Sequence, residues 1–122
     1  MDLETLRNYC LSKPFASEDM PFGEDFLAFR VLDKIFGIIS LKQWEEGKQF
    51  INLKCNPDKA IELRENYEGI KPGYHMNKKH WNSVGLNFGD ISPSFLKELI
   101  DHSYTCVVEK MPKKQRELII SS

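Results

Sequence analysis

The sequence has few of the features that mark catalytic or cofactor-binding proteins. Its three cysteines, Cys10, Cys55 and Cys106, are odd in number and far apart, with no Cys-x-x-Cys pair. That argues against a disulfide framework or a zinc knuckle, and for reduced thiols packed as small apolar side chains. No serine sits between glycines as in a nucleophile elbow. The close glycine pairs, Gly69 with Gly73 and Gly85 with Gly89, lack the pattern and the following helix start of a phosphate loop. No apolar run approaches the ~20 residues that span a bilayer, and the opening Met1, Asp2, Leu3, Glu4 lacks the basic region and apolar stretch of a signal peptide. A cytoplasmic protein without cofactor or membrane contact is expected.

What remains is an ordinary globular composition, 41% hydrophobic and 29% charged over 122 residues with a net charge of −1. A chain of this length is expected to form a single domain over residues 1–122. Its charge is uneven. Between Gly69 and Gly89 there is no Asp or Glu, while Lys71, His75, Lys78, Lys79 and His80 all fall there. Acidic residues gather instead at Glu18, Asp19, Glu24 and Asp25, and along Asp58, Glu62, Glu65 and Glu68.

Hydrophobic spacing gives the element order. Leu3, Leu6 and Cys10 recur at helical spacing before Pro14. Pro21 and Gly23 mark an irregular connection. Leu27, Phe29 and Val31 alternate, Asp33 and Lys34 suggest a tight turn, and Ile35 to Leu41 continues as a second strand. Residues 42–49 are expected to be a polar loop. Ile51, Leu53 and Cys55 then mark a third strand. Asn56 before Pro57 is a capped helix start, and Ala60, Ile61, Leu63 and Tyr67 are its expected buried stripe up to Gly69. Two short strands, near 74–76 and 81–86, read as a second hairpin with residues 77–80 at its tip. Ser92 and Pro93 open a final long helix with Leu96, Leu99, Ile100, Ser103 and Val107 on one face, followed by a short helical turn after Pro112. The result is an α+β fold, α-β-β-β-α-β-β-α, a two-layer sandwich with a five-stranded antiparallel sheet and helices on one side.

Two constellations bear on chemistry. His102 and Cys106 are four apart on a helix, close enough to touch, but a thiolate–imidazole dyad also needs an orienting group and a cleft. His75 and His80 lack further ligands for zinc. The run Gly73-Tyr-His-Met-Asn-Lys-Lys-His-Trp81 is more informative, because paired lysines, imidazoles and aromatics suit phosphate contact and stacking. Trp81 equally suits a core position with its indole N–H satisfied at the edge.

This run, with LRNYCLSKP at 6–14, PFGEDFLAFRV at 21–31, INLKCNPDKAIELRENYEGIKPGYHMNKKHWNSV at 51–84 and ELIDHSY at 98–104, resembles the MmcQ/YjbR proteins, small bacterial domains to which DNA binding is attributed. The resemblance implies the same two-layer fold, also similar to secretion chaperones, with paired β-hairpin wings. It implies a non-enzymatic DNA-binding role with Lys78, Lys79, His80 and Trp81 as contacts, Lys71 and Lys54 as secondary ones, and His75 beside them. Asp33 stands where many relatives carry glycine, placing an acid on the other wing. The alternative is a protein-interaction or chaperone-like module that binds a partner or a second copy through an open sheet face carrying Phe50, Asn52 and Lys54. A small-ligand site around Tyr74 and Trp81 is a third reading.

Overall fold

The computed structural model describes residues 1–121. Six antiparallel strands form one sheet, one more than expected, in the order β1-β2-β3-β4-β6-β5. The strands are β1 (Ala16–Asp19), β2 (Phe26–Val31), β3 (Lys34–Ser40), β4 (Phe50–Lys54), β5 (Ile70–Pro72) and β6 (Trp81–Gly85). Helices α1 (Leu3–Leu11), α2 (Leu41–Glu45), α3 (Pro57–Asn66), α4 (Pro93–Glu109) and α5 (Lys113–Ile120) complete the chain.

The added strand is β1, in the segment expected to be irregular. It pairs Ala16 through Asp19 with Val31 through Ala28 and forms one sheet edge. Its sequence, Ala-Ser-Glu-Asp, is too polar to announce a strand. It is held laterally instead, Glu18 pairing with Arg7 and Asp19 with Arg30. Helix α2 occupies part of the expected 42–49 loop. Ser40 caps it by accepting from the Gln43 N–H, so β3 stops one residue before Leu41.

The β2–β3 turn falls on Leu32 and Asp33, one residue earlier than expected, and its left-handed position is Leu32 at φ 54°. Asp33 is not left-handed and needs no glycine. A bulge follows: Phe29 pairs with Gly37 and Arg30 with Ile35, leaving Phe36 without a partner. The extra residue turns the fully buried Phe36 ring toward α4, edge-on to Tyr104 at 5.5 Å.

Cross-strand partners share a face, so Ile51, Val84 and Ile70 lie together on one side of the sheet. Helix α3 packs there, its Ala60 carbonyl accepting from Asn82, and α4 joins it through Tyr67 and Phe95, 4.8 Å apart. Helix α1 reaches α4 through the Tyr9 hydroxyl, which donates to Asp101 at 2.6 Å. All five residues assigned to the α4 face, Leu96, Leu99, Ile100, Ser103 and Val107, are buried. On α3 the stripe is narrower than expected: Ala60 and Leu63 are buried, but Ile61 is 53% exposed. No helix among the described residues is long and apolar enough to cross a membrane.

Candidate functional site

The opposite face carries Ala28, Ile38, Asn52, Ser83 and Lys71, aligned across five strands by register. It is less open than the sequence implies. Asn52 is buried, its Nδ2 donating to the Tyr74 carbonyl at 3.0 Å, its Oδ1 accepting from the Ser83 hydroxyl. Tyr74 N–H donates to Ser83 Oγ at 2.9 Å, and the Tyr74 ring meets Phe50 edge-on at 5.8 Å. The segment after β5 therefore folds over the middle of the sheet.

That segment corrects the expected second hairpin. Its first strand is Ile70–Pro72 rather than a stretch at 74–76, and residues 73–80 form an anchored loop rather than a short tip. Gly73 N–H donates to the Trp81 carbonyl at 2.9 Å. A side chain at Gly73 would bring its Cβ within 2.8 Å of Trp81 Cβ and 3.0 Å of Met76 Cβ, so glycine is required by space. Lys78 Nζ donates back to the Gly73 carbonyl at 2.9 Å, and Arg64 on α3 donates both to the Lys78 carbonyl and, at 2.7 Å, to Asn82. Lys78 is thus a loop clasp as well as a cation. His75 holds a left-handed φ of 58° with its ring 4.0 Å from that of Tyr74.

The candidate residues separate into two groups on this face. Lys71, Tyr74 and His75 lie toward β5. Lys54 and Trp81 are cross-strand partners at the far end of β4, both half-buried, with Lys79 and His80 beside them. Here the structure adds two lysines that no local pattern marks: Lys34 at the start of β3 and Lys110 after α4. Partial burial first, then the Lys110 and Lys34 ammonium groups, hold Lys54 below its ordinary value. His80 is lowered likewise by desolvation and then by Lys110, Lys54 and Lys79. Among the described residues, none of these four lysines has a carboxylate within salt-bridge distance.

His102 and Cys106 do meet, Sγ to Nε2 at 3.4 Å. The same Nε2 accepts the Asn56 N–H at 3.2 Å, which fixes its lone pair on the α3 cap. Burial and then Lys59 lower the imidazole, while burial and then Glu109 raise the half-buried Cys106 thiol, opposite to what a thiolate–imidazolium pair requires. Cys10 and Cys55 are buried, with thiols pushed up to about 12 and about 11 respectively, chiefly by desolvation. No cluster of three or more metal-ligating side chains occurs among the described residues.

The YjbR family model matches residues 11–106, the whole sheet and most of α4. The chain belongs to the YjbR family. The uncharacterised YbdF protein of Escherichia coli O157:H7 is 40% identical over 116 residues, 95% of this chain and 92% of its own. The YjbR protein of Escherichia coli K12 is 29% identical over 98% of both chains. Among solved structures, a Deinococcus radiodurans protein with a DUF419 domain superposes with a TM-score of 0.85 at 33% identity, covering 96% of this chain and 86% of that one. A Pseudomonas syringae protein gives 0.73 at 29% identity over 87% and 98%. Within the YjbR match lie Lys34, Lys54, Lys71 and the whole 73–81 loop; Lys110 lies just beyond it.

Proposed function

We propose that the protein binds DNA without catalysis, meeting phosphates at the end of the sheet where Lys54, Lys79 and Lys110 gather around His80, with Lys34 beside Lys54. The observation that carries this reading is the depression of Lys54 and His80 by burial and by the neighbouring ammonium groups, with no carboxylate within salt-bridge distance of the four lysines among the described residues. Placing like charges together costs stability, and a phosphate backbone offsets that cost by replacing their repulsion with attraction. Lys71 and Trp81 belong to the same face, Trp81 as the half-buried neighbour of Lys54. Net charge does not oppose the reading, because exposed acids such as Asp58, Glu62 and Glu65 sit on α3, on the helical side.

The test is titration against duplex DNA at several salt concentrations. Four lysine–phosphate contacts give a slope of log affinity against log salt of about −3.6, at ~0.9 per phosphate. A flat salt dependence, or no binding at low salt, overturns the reading.

A second reading, a protein-interaction module, is favoured by the opposite end of the molecule. Met20 and Phe22, 49% and 61% exposed, follow edge strand β1, and Met20 lines a cleft with Leu27 and Trp44. Exposed apolar side chains beside an unpaired strand edge suit a partner strand or a second copy. Sedimentation at high concentration distinguishes it: a monomer that recovers no partner counts against this reading.

A further inference from the structure

The sheet face that ends in the lysine cluster contains a separate cleft at its other end. Phe50 pairs with Gly85 there, four residues along β4 from the Lys54–Trp81 pair, or about 13 Å at ~3.3 Å per residue. The cleft encloses about 340 Å³, within the ~300–1,000 Å³ of small-ligand sites. Three rings line it, Phe50, Tyr74 and Phe88. Gly85 gives the Phe88 ring room to lie on the strand, since a Cβ there would come within 2.7 Å of it.

Charge and hydrogen bonding narrow the occupant. Lys48 and Lys71 both line the cleft, Lys71 Nζ standing 5.1 Å from the centre of the Phe88 ring, and no Asp or Glu is among the lining residues. Asp90 lies behind Gly69, one oxygen accepting the Gly69 N–H at 3.2 Å. Two other polar lining side chains are already committed, Asn87 to the Gly47 carbonyl and Ser83 to Asn52. Gln43 and Gln49 are not: among the described residues neither carboxamide has a hydrogen-bond partner, and each offers a donor beside an acceptor, the pattern that reads a base edge.

We propose that this cleft binds a nucleobase bearing a phosphate, the base against Phe50, Tyr74 and Phe88, its edge met by Gln43 or Gln49, and the phosphate held by Lys71. A free nucleotide and one unit of a single strand present the same chemistry. The proposal stands apart from duplex binding, because its residues are not those of the lysine cluster.

The test follows backbone amide resonances during titration with adenosine 5′-monophosphate and, separately, with a short single-stranded oligodeoxyadenylate. Saturable shifts at Ser83, Gly85 and Phe88 are expected with at least one of them. Saturation by the mononucleotide identifies a free nucleotide as sufficient, and saturation by the oligonucleotide alone identifies the strand; either supports the site. Phe88→Ala removes a ring that is 47% exposed, so the fold should persist while affinity drops by about tenfold or more. Gly85→Ala, which displaces that ring, should act in the same direction. Adenosine should bind more weakly than its monophosphate, and Lys71→Gln should abolish the difference. No saturable shift with either probe, unchanged binding by Phe88→Ala, or equal binding of adenosine and its monophosphate overturns the proposal. Lys79→Gln with Lys110→Gln should leave mononucleotide binding unchanged while weakening duplex binding, so the two readings fail separately.

Discussion

Replacing Gly73 by alanine adds one methyl group where the neighbours leave no room. The new Cβ would lie 2.8 Å from Trp81 Cβ, 3.0 Å from Met76 Cβ and 3.0 Å from the Trp81 carbonyl oxygen. Two of these atoms belong to strand β6 and cannot rotate away, so β5 and β6 must separate. Overpacking of this kind costs about 1–3 kcal/mol. Weakening the Gly73 N–H bond to the Trp81 carbonyl adds roughly 0.5–1.5 kcal/mol. The combined loss of about 1.5–4.5 kcal/mol is a substantial part of the ~6–18 kcal/mol typical for 122 residues. With an unfolding entropy of ~0.26 kcal/mol/K for that length, Tm should fall by about 6–17 °C. Urea denaturation followed by circular dichroism measures the loss. Gly85→Ala is the matched control: its nearest neighbour is the movable Phe88 ring, so its cost should stay below about 1 kcal/mol. A Gly73→Ala protein within ~0.5 kcal/mol of the parent would refute the close approach of the 73–80 loop to β6.

Replacing exposed Lys79 and Lys110 together by glutamine should reduce the magnitude of the duplex-DNA salt slope by about 1.8, similarly for unrelated sequences, because phosphate contacts carry no direct base information. Acid should destabilise the fold through His102. Its folded-state pKa is depressed, so its contribution is complete above the ordinary value of ~6.5 and is lost as pH falls through the lower folded value. Denaturation curves at neutral and mildly acidic pH should therefore converge more closely in a His102→Gln variant than in the parent; an identical pH dependence in the two proteins rules this out. Of the three thiols, half-buried Cys106 should label first in the native state and Cys10 only on unfolding, as mass-resolved alkylation would show.

Much of the fold was legible because strong local signals coincide with burial. Asn56–Pro57 and Ser92–Pro93 cap α3 and α4 as their sequences suggest, and the α4 stripe is buried in full. The failures have physical causes. Strand β1 has a polar sequence because only one of its edges is paired, so neither alternation nor apolarity marks it. Ser40 and Gln43 form a capping pattern, but the apolar run ending at Leu41 obscures it. The second hairpin shifted because Tyr74 and Met76 are β-formers by composition, yet the backbone there satisfies Asn52 and Ser83 side chains instead of a neighbouring strand. In the site, the basic island was visible along the chain. The lysines that complete the cluster, Lys34 and Lys110, come from segments on either side of it and meet it only through the fold. Phe88 escaped notice because an isolated aromatic beside glycine and asparagine looks like a loop residue.

The anchoring of the 73–80 loop has a practical consequence for hybrid proteins. Its hydrogen bonds end on Asn52 in β4, Arg64 in α3, and Trp81 and Ser83 in β6, so the smallest transferable unit is discontinuous in sequence. Grafting the nine residues GYHMNKKHW alone into a related scaffold would import the lysines without the groups that orient them. A faithful transplant must carry Asn52 and Arg64 along with residues 73–83.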